Sequence, residues 1–192
     1  MQLFQSFVSA VNALKSPRIL ELGAARTEPN KSTSRRLHFP NAGVFHGTDI
    51  QMTEDVDFLA DVHRLSEKAG YGTYDAIITC SGFEHFKYPH LAAFEISRVL
   101  KHNGYVFVQT HSMFPLHAYP YDYFRFSTEA LEGVFGTRNG INVIRTAYEF
   151  QCQLSSDRFD KVWPGWLNVG LFGQKTHATP AEYVYDYDCE VG

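Results

Sequence analysis

The chain has 192 residues and a mass of 21.9 kDa, the size of one domain around a single core. Hydrophobic residues at 44% and charged residues at 20% fit a globular protein and exclude a disordered, collagenous or coiled-coil chain. A formal net charge of -4 and a pI near 6.1 offer no basic footprint, so neither nucleic acid nor an anionic membrane is expected as a partner.

From the N-terminus, Leu3, Phe4, Phe7, Val8, Val11 and Leu14 fall at helical spacing and predict an amphipathic helix that Ser16-Pro17 ends. Gln2, Gln5 and Ser6 interrupt these apolar residues, so no secretory signal is read there. Arg18 to Leu22 is a short buried strand stopped by Gly23, and a polar loop with a short helix around Lys31 to Leu37 follows. Strands are expected at Gly43 to Thr48, ending at Asp49, and at Asp57 to Ala60, ending at Asp61. Tyr74 to Cys80 is apolar on both faces, as a strand covered on both sides should be. His90 to Lys101 is a helix closed by Asn103-Gly104, and Tyr105 to Gln109 is a fifth strand. After an aromatic loop from His111 to Phe126, Ser127 caps a helix running to Phe135. Ile141 to Phe150 and Leu167 to Gln174 are two further strands with a turn-rich link between them. Residues 1–180 make the domain, and 181–192 form an acidic, Tyr-rich tail.

Strands alternating with helices predict an α/β fold with a parallel sheet. The last two strands lack a helix between them, so an antiparallel edge pair is expected. The result is a seven-stranded, mostly parallel sheet with one antiparallel strand. Apolar runs such as Ala76 to Cys80 are too short to span a bilayer. Cys80, Cys152 and Cys189 are odd in number and widely spaced, which argues against a disulfide framework or zinc site and fits a reducing, cytoplasmic setting.

Open parallel sheets bind ligands beyond the carboxyl ends of their strands. Those ends read Glu21-Leu22-Gly23-Ala24-Ala25, Thr48-Asp49, Ala60-Asp61-Val62 and Cys80-Ser81-Gly82-Phe83-Glu84-His85. In this order they resemble the class I S-adenosylmethionine-dependent methyltransferases. Tyr74-Asp75-Ala76-Ile77-Ile78, the segment Glu95 to Tyr105, and Tyr121-Asp122-Tyr123-Phe124-Arg125-Phe126-Ser127 are similar to its small-molecule and sugar methyltransferase branch. The resemblance covers Arg18 through Phe126, and it implies a Rossmann-like three-layer sandwich with S-adenosyl-L-methionine as cofactor.

It also implies roles. Gly23, with Ala25, would sit against the methionine moiety, and Glu21 would orient the loop or the amino group. Asp49 would accept from the ribose hydroxyls and Asp61 from the adenine amino group, with Val62 on the ring and Ser81 near the methyl donor. One feature departs from the pattern: E-x-G-x-G-x-G is here Glu21-x-Gly23-x-Ala25-x-Thr27, with Pro29 interrupting the following helix start. The missing glycines also argue against a dinucleotide fold, which needs G-x-G-x-x-G.

Other readings compete at each position. Asp49 and Asp61 also suit turn or capping carboxylates. His85 is as much a capping residue as a catalytic one. His111 is the preferred general base, His85 the substitute, and Asp122 the group that orients the imidazole. In the aromatic loop, Phe114, His117, Tyr119, Tyr121 and Arg125 are candidate contacts for a small-molecule acceptor, although Asp122 and Arg125 equally suit a pair that anchors the loop. His85, His111 and His117 match no metal-ligand spacing, so no metal is expected. The expected activity is methyl transfer to a small-molecule acceptor at an oxygen, a sugar or other metabolite hydroxyl. A non-catalytic binding module of the same fold is the alternative that the reduced glycine loop favours.

Overall fold

The computed structural model describes residues 2–26, 28 and 30–183. Most of the tail read from the sequence, 184–192, lies outside the described residues.

Leu3, Phe7, Val8 and Val11 are the buried stripe of α1 (Gln2–Asn12), and they pack on Ile19, Phe45, Ala76, Ile78, Phe107 and Phe172 of the sheet. At roughly 1.5–3 kcal/mol for each large apolar side chain buried, this stripe suffices to hold α1 against the sheet. β1 (Arg18–Leu22) is flanked in parallel by β2 (Val44–Asp49) and β4 (Tyr74–Cys80), and its Ile19 and Leu20 enter separate cores on the two faces of the sheet. The sheet has seven strands in the order β3-β2-β1-β4-β5-β7-β6, with β3 at Phe58–Leu59 and β5 at Leu100–His111. β6 (Ile141–Ser156) and β7 (Phe159–Lys175) form the edge hairpin, and β7 runs antiparallel to both β5 and β6. The opposite face carries α2 (Leu65–Ala69), α3 (Pro89–Val99) and α4 (Thr128–Phe135), packed on Leu20, Ile77, Val106 and Val108. Among the described residues no helix is long and apolar enough to cross a membrane.

Three local readings are corrected. The helix expected around Lys31 to Leu37 is only a 3-10 turn, Arg36–His38. Glu21 explains this, because its carboxylate accepts from Ser34 Oγ at 2.8 Å and from the Arg35 amide at 3.1 Å and holds both out of helical geometry. Asn103-Gly104 does not end a helix: α3 stops at Val99, β5 starts at Leu100, and Asn103 adopts φ 63° within the strand. The link around Trp163-Pro164-Gly165-Trp166 is strand, paired with Leu154, Gln153, Cys152 and Gln151. Pro164 is tolerated there because it precedes Asn168, where the pairing of β7 with β5 begins opposite His111. The short helix α2 goes beyond the sequence reading, since five residues are too few to show a period.

Ser127 does cap α4, accepting from the Ala130 amide at 3.1 Å.

Candidate active site

The parallel strands bring Gly23, Asp49, Asp61, Ser81 and His111 to one rim, as the sequence order requires. Gly23 adopts φ +73°, a region that favours glycine, and a Cβ built there would stand 3.8 Å from Gly82 Cα. The two glycines therefore leave the floor between β1 and β4 open. Beside it lies Thr79 Oγ1, buried and without a hydrogen-bond partner among the described residues. A Cβ on Gly82 would come within 2.9 Å of that oxygen.

Glu21 is buried and occupied with Ser34 and Arg35, so it orients the loop rather than presenting itself to a ligand. Burial pushes its carboxyl above the ordinary range, against the pull of the Ser34 and Arg35 bonds. Asp49 Oδ2 accepts from the Ala25 amide at 3.0 Å, and Oδ1 accepts from the amides of Ile50 and Gln51 at 2.7 and 3.1 Å. A carboxylate has about four acceptor sites, so one direction is left for a ligand. Asp61 caps a 3-10 turn: its Oδ1 accepts from the His63 amide at 2.9 Å and meets His63 Nδ1 at 2.7 Å. Its side chain is still 55% exposed, and Oδ2 is left out of these bonds. Val62 is buried behind it, while Ser81 is exposed with φ 52°.

The glycine-loop amides are largely committed within the chain. Those of Gly23 and Ala24 go to the Thr48 carbonyl, that of Ala25 to Asp49 and that of Arg26 to Thr53 Oγ1. Arg26 clamps the segment down, donating from Nε to Asp55 Oδ2 at 2.6 Å and from Nη2 to Oδ1 at 3.1 Å, with Glu54 as a further partner. Gly47 permits this closeness, since a Cβ there would lie 2.0 Å from the Asp55 carbonyl oxygen.

The second half of the site is centred on Glu84, which has no assigned role in the sequence reading. Its side chain is fully buried, and Oε2 accepts from Thr110 Oγ1 at 2.7 Å. Around Oε1 stand His111 Nε2 at 2.9 Å, His85 Nε2 at 3.8 Å and His117 Nε2 at 3.9 Å. All three histidines picked out from the sequence thus meet at one carboxylate. His111 is buried, its Nδ1 lies 3.1 Å from Asn168 Oδ1, and Phe114 stacks on its ring at 4.0 Å. Both of its nitrogens are engaged, which leaves it poorly placed as the general base.

The aromatic loop is folded onto this cluster. The amides of Tyr123 and Phe124 donate to the Glu84 carbonyl, and that of Phe126 to the His111 carbonyl. The Ser112 amide bonds to the Leu167 carbonyl on β7. Asp122 takes both prongs of Arg125, at 2.6 and 2.8 Å, and accepts from the His117 amide at 2.9 Å. Arg125 holds the Asp122 carboxyl far below the usual carboxylate range. Asp122 therefore orients His117, not His111 or His85, and Arg125 anchors the loop. Tyr119 and Tyr121 are exposed at its rim. Glu84 could have been singled out as the acidic neighbour of His85, but Asn168 could not, because only the β5–β7 register brings it to His111.

A groove at the amino ends of β4 and β5, lined by Tyr71, Arg98, His102 and Lys175, lies away from this chemistry.

Residues 37–108 match the family model described as a methyltransferase domain. No curated protein sequence matches the chain. Among solved structures, the YcgJ protein from Bacillus subtilis is similar at 15% identity and a TM-score of 0.64, over 92% of this chain and 99% of its own. An S-adenosylmethionine-dependent methyltransferase from Archaeoglobus fulgidus is similar at 11% identity and 0.64, over 90% and 91%. A Burkholderia thailandensis 1,6-didemethyltoxoflavin-N1-methyltransferase, solved with 1,6-didemethyltoxoflavin and S-adenosylhomocysteine, is similar at 14% and 0.60, over 91% and 79%. These likenesses share the fold across nine-tenths of the chain. With residues 37–108 matching a methyltransferase-domain model, the chain has the fold that these S-adenosylmethionine-dependent methyltransferases share.

Proposed function

We propose that the acceptor is a small molecule and that the methyl group goes to one of its oxygens. The observation that carries this reading is the convergence of His85 and His117 on buried Glu84, beside the glycine floor of β1 and β4. A hydroxyl is a weak nucleophile until it gives up its proton, so an oxygen acceptor calls for imidazoles at this position. His85 Nδ1 meets the Tyr121 carbonyl and His117 Nδ1 the Pro115 carbonyl, which leaves each Nε2 able to accept a proton.

S-adenosylmethionine, when bound, supplies a methyl group on a positively charged sulfur. Gly23, Ala25 and Ser81 line its methionine end in this reading, Asp49 takes the ribose, and Asp61 with Val62 takes the adenine. The residues fit the group: the floor is open, Asp49 and Asp61 keep acceptor directions free, and Thr79 Oγ1 lacks a partner beside it. Phe114 stacks on His111, and Tyr119 and Tyr121 form the rim where the acceptor enters. The lopsided cover, α1 on one face and α2 to α4 on the other, is read as the three-layer arrangement. The free thiols of Cys80 and Cys152 suit a cytoplasmic setting.

The test is release of S-adenosylhomocysteine from S-adenosylmethionine across panels of sugar, phenol, amine and carbon-acid acceptors. Turnover with hydroxyl acceptors, lost in the double variant His85→Ala/His117→Ala, supports the reading. Turnover confined to amines or carbon acids overturns it.

A further inference from the structure

Glu84, His85 and His117 set three ligand-type atoms around one point, and each side chain is held there by a partner of its own. Thr110 donates to Glu84 Oε2, which aims Oε1 at the loop. Oε1 is buried and has no aligned hydrogen bond among the described residues, the 2.9 Å approach of His111 Nε2 being off-line. His85 Nδ1 lies 2.8 Å from the Tyr121 carbonyl oxygen. A carbonyl only accepts, so Nδ1 carries the proton and Nε2 presents a lone pair. His117 repeats the pattern, with Nδ1 at 3.2 Å from the Pro115 carbonyl and 3.3 Å from Asp122 Oδ2. The ligand atoms of Glu84, His85 and His117 all lie within 4.8 Å of one another. Two imidazole nitrogens and a carboxylate oxygen turned towards one point make a donor set for a metal cation.

We propose that Glu84 Oε1, His85 Nε2 and His117 Nε2 bind a divalent transition-metal ion of the zinc class. Two imidazoles and one carboxylate suit zinc, cobalt or iron, whereas magnesium and calcium take oxygen donors. Metal bonds near 2.1 Å set tetrahedral ligands roughly 3.4 Å apart, closer than the 3.8 and 3.9 Å from Glu84 and the 4.8 Å within which all three ligand atoms lie. Small rotations of the two rings, one of them on a loop, close that difference. Backbone carbonyls and a carboxylate on Nδ1 are the outer partners that ligating histidines use to fix their tautomer. The two imidazoles are 25% and 30% exposed, so solvent reaches the point and leaves a coordination position for water or a ligand. Residues 84, 85 and 117 match no metal spacing because the third ligand arrives on the loop that returns from β5. Ion binding does not depend on the acceptor being a hydroxyl. Where that reading also holds, the ion replaces the imidazoles as the group that lowers the pKa of a bound hydroxyl.

The experiment is a Co²⁺ titration of the chelator-stripped full chain, followed by visible absorption, with Zn²⁺ added afterwards to displace it. One Co²⁺ per chain, displaced by Zn²⁺, is expected. His117→Ala and His85→Ala should each weaken Co²⁺ binding by roughly tenfold or more while circular dichroism shows them folded. His90→Ala, an exposed α3 residue outside the cluster, should bind as the unaltered chain does. Absence of stoichiometric uptake, or uptake that both cluster variants leave intact, overturns the proposal. Because the titration reads the ion alone, its failure leaves the acceptor reading standing, and the reverse is also true.

Discussion

His111 Nε2 stands 2.9 Å from Glu84 Oε1, with the two side chains 7% and 0% exposed. Burial alone would raise the Glu84 carboxyl and lower the His111 imidazole. Their contact outweighs it, holding Glu84 below and His111 above the ordinary range. Removing one partner leaves the other charge buried, so His111→Ala in metal-free protein should cost about 3–5 kcal/mol in urea unfolding. The double variant Glu84→Gln/His111→Ala should lose less than the two single losses added together. Strict additivity would show that the pair carries no shared energy.

Arg125 ties the aromatic loop together. Its guanidinium takes Asp122 in a fork and also donates to the carbonyls of Phe114 and Pro115. Lysine cannot reproduce that fork. Arg125→Lys should raise amide exchange across residues 111–126 and raise the acceptor KM, with S-adenosylhomocysteine affinity unchanged. An unaltered exchange profile would mean that the loop is held from elsewhere.

At the cofactor floor, Asp49→Asn should weaken S-adenosylhomocysteine binding by about 1–3 kcal/mol, read by calorimetry, because an amide offers one acceptor oxygen in place of two. Gly23→Val combines a β-branched side chain with φ +73° and should lower both stability and cofactor affinity. Equal affinity in Asp49→Asn would remove Asp49 from the ribose site.

The Arg26 clamp gives a pH dependence with a definite sign. The Arg26 guanidinium beside Asp55 holds its carboxyl below the ordinary value of 3.8. A lowered carboxyl contributes stability that is fully present above the unfolded value and is lost as pH falls through the folded one. The melting-temperature gap between the natural chain and Asp55→Asn should therefore be constant near neutrality and close as pH drops below 3.8. A gap that persists in acid would assign it to packing.

Much of this was legible in the chain itself. The apolar stripe of α1, the two-faced apolar strands β1 and β4 and the Ser127 cap are local patterns, and each formed where local periodicity placed it. The strand-end residues Gly23, Asp49, Asp61 and Ser81 were legible for a similar reason, because a parallel sheet delivers successive strand ends to one rim. The Trp163 to Trp166 link misled, since a two-stranded extension beyond the core has no buried face to impose an alternating pattern.

What the sequence determined by itself is therefore the αβ order and the sheet, set by short-range periodicity and strand direction, while the chemistry expected at the rim came from a family resemblance. Tertiary structure alone decided the partners. It gave Glu21 to Ser34 and Arg35, set Asn168 against His111, and brought His111 and His117 to Glu84. Those pairings join different segments of the chain, and a buried carboxylate takes whichever donors the packing delivers to it, because going unpaired in the interior is costly.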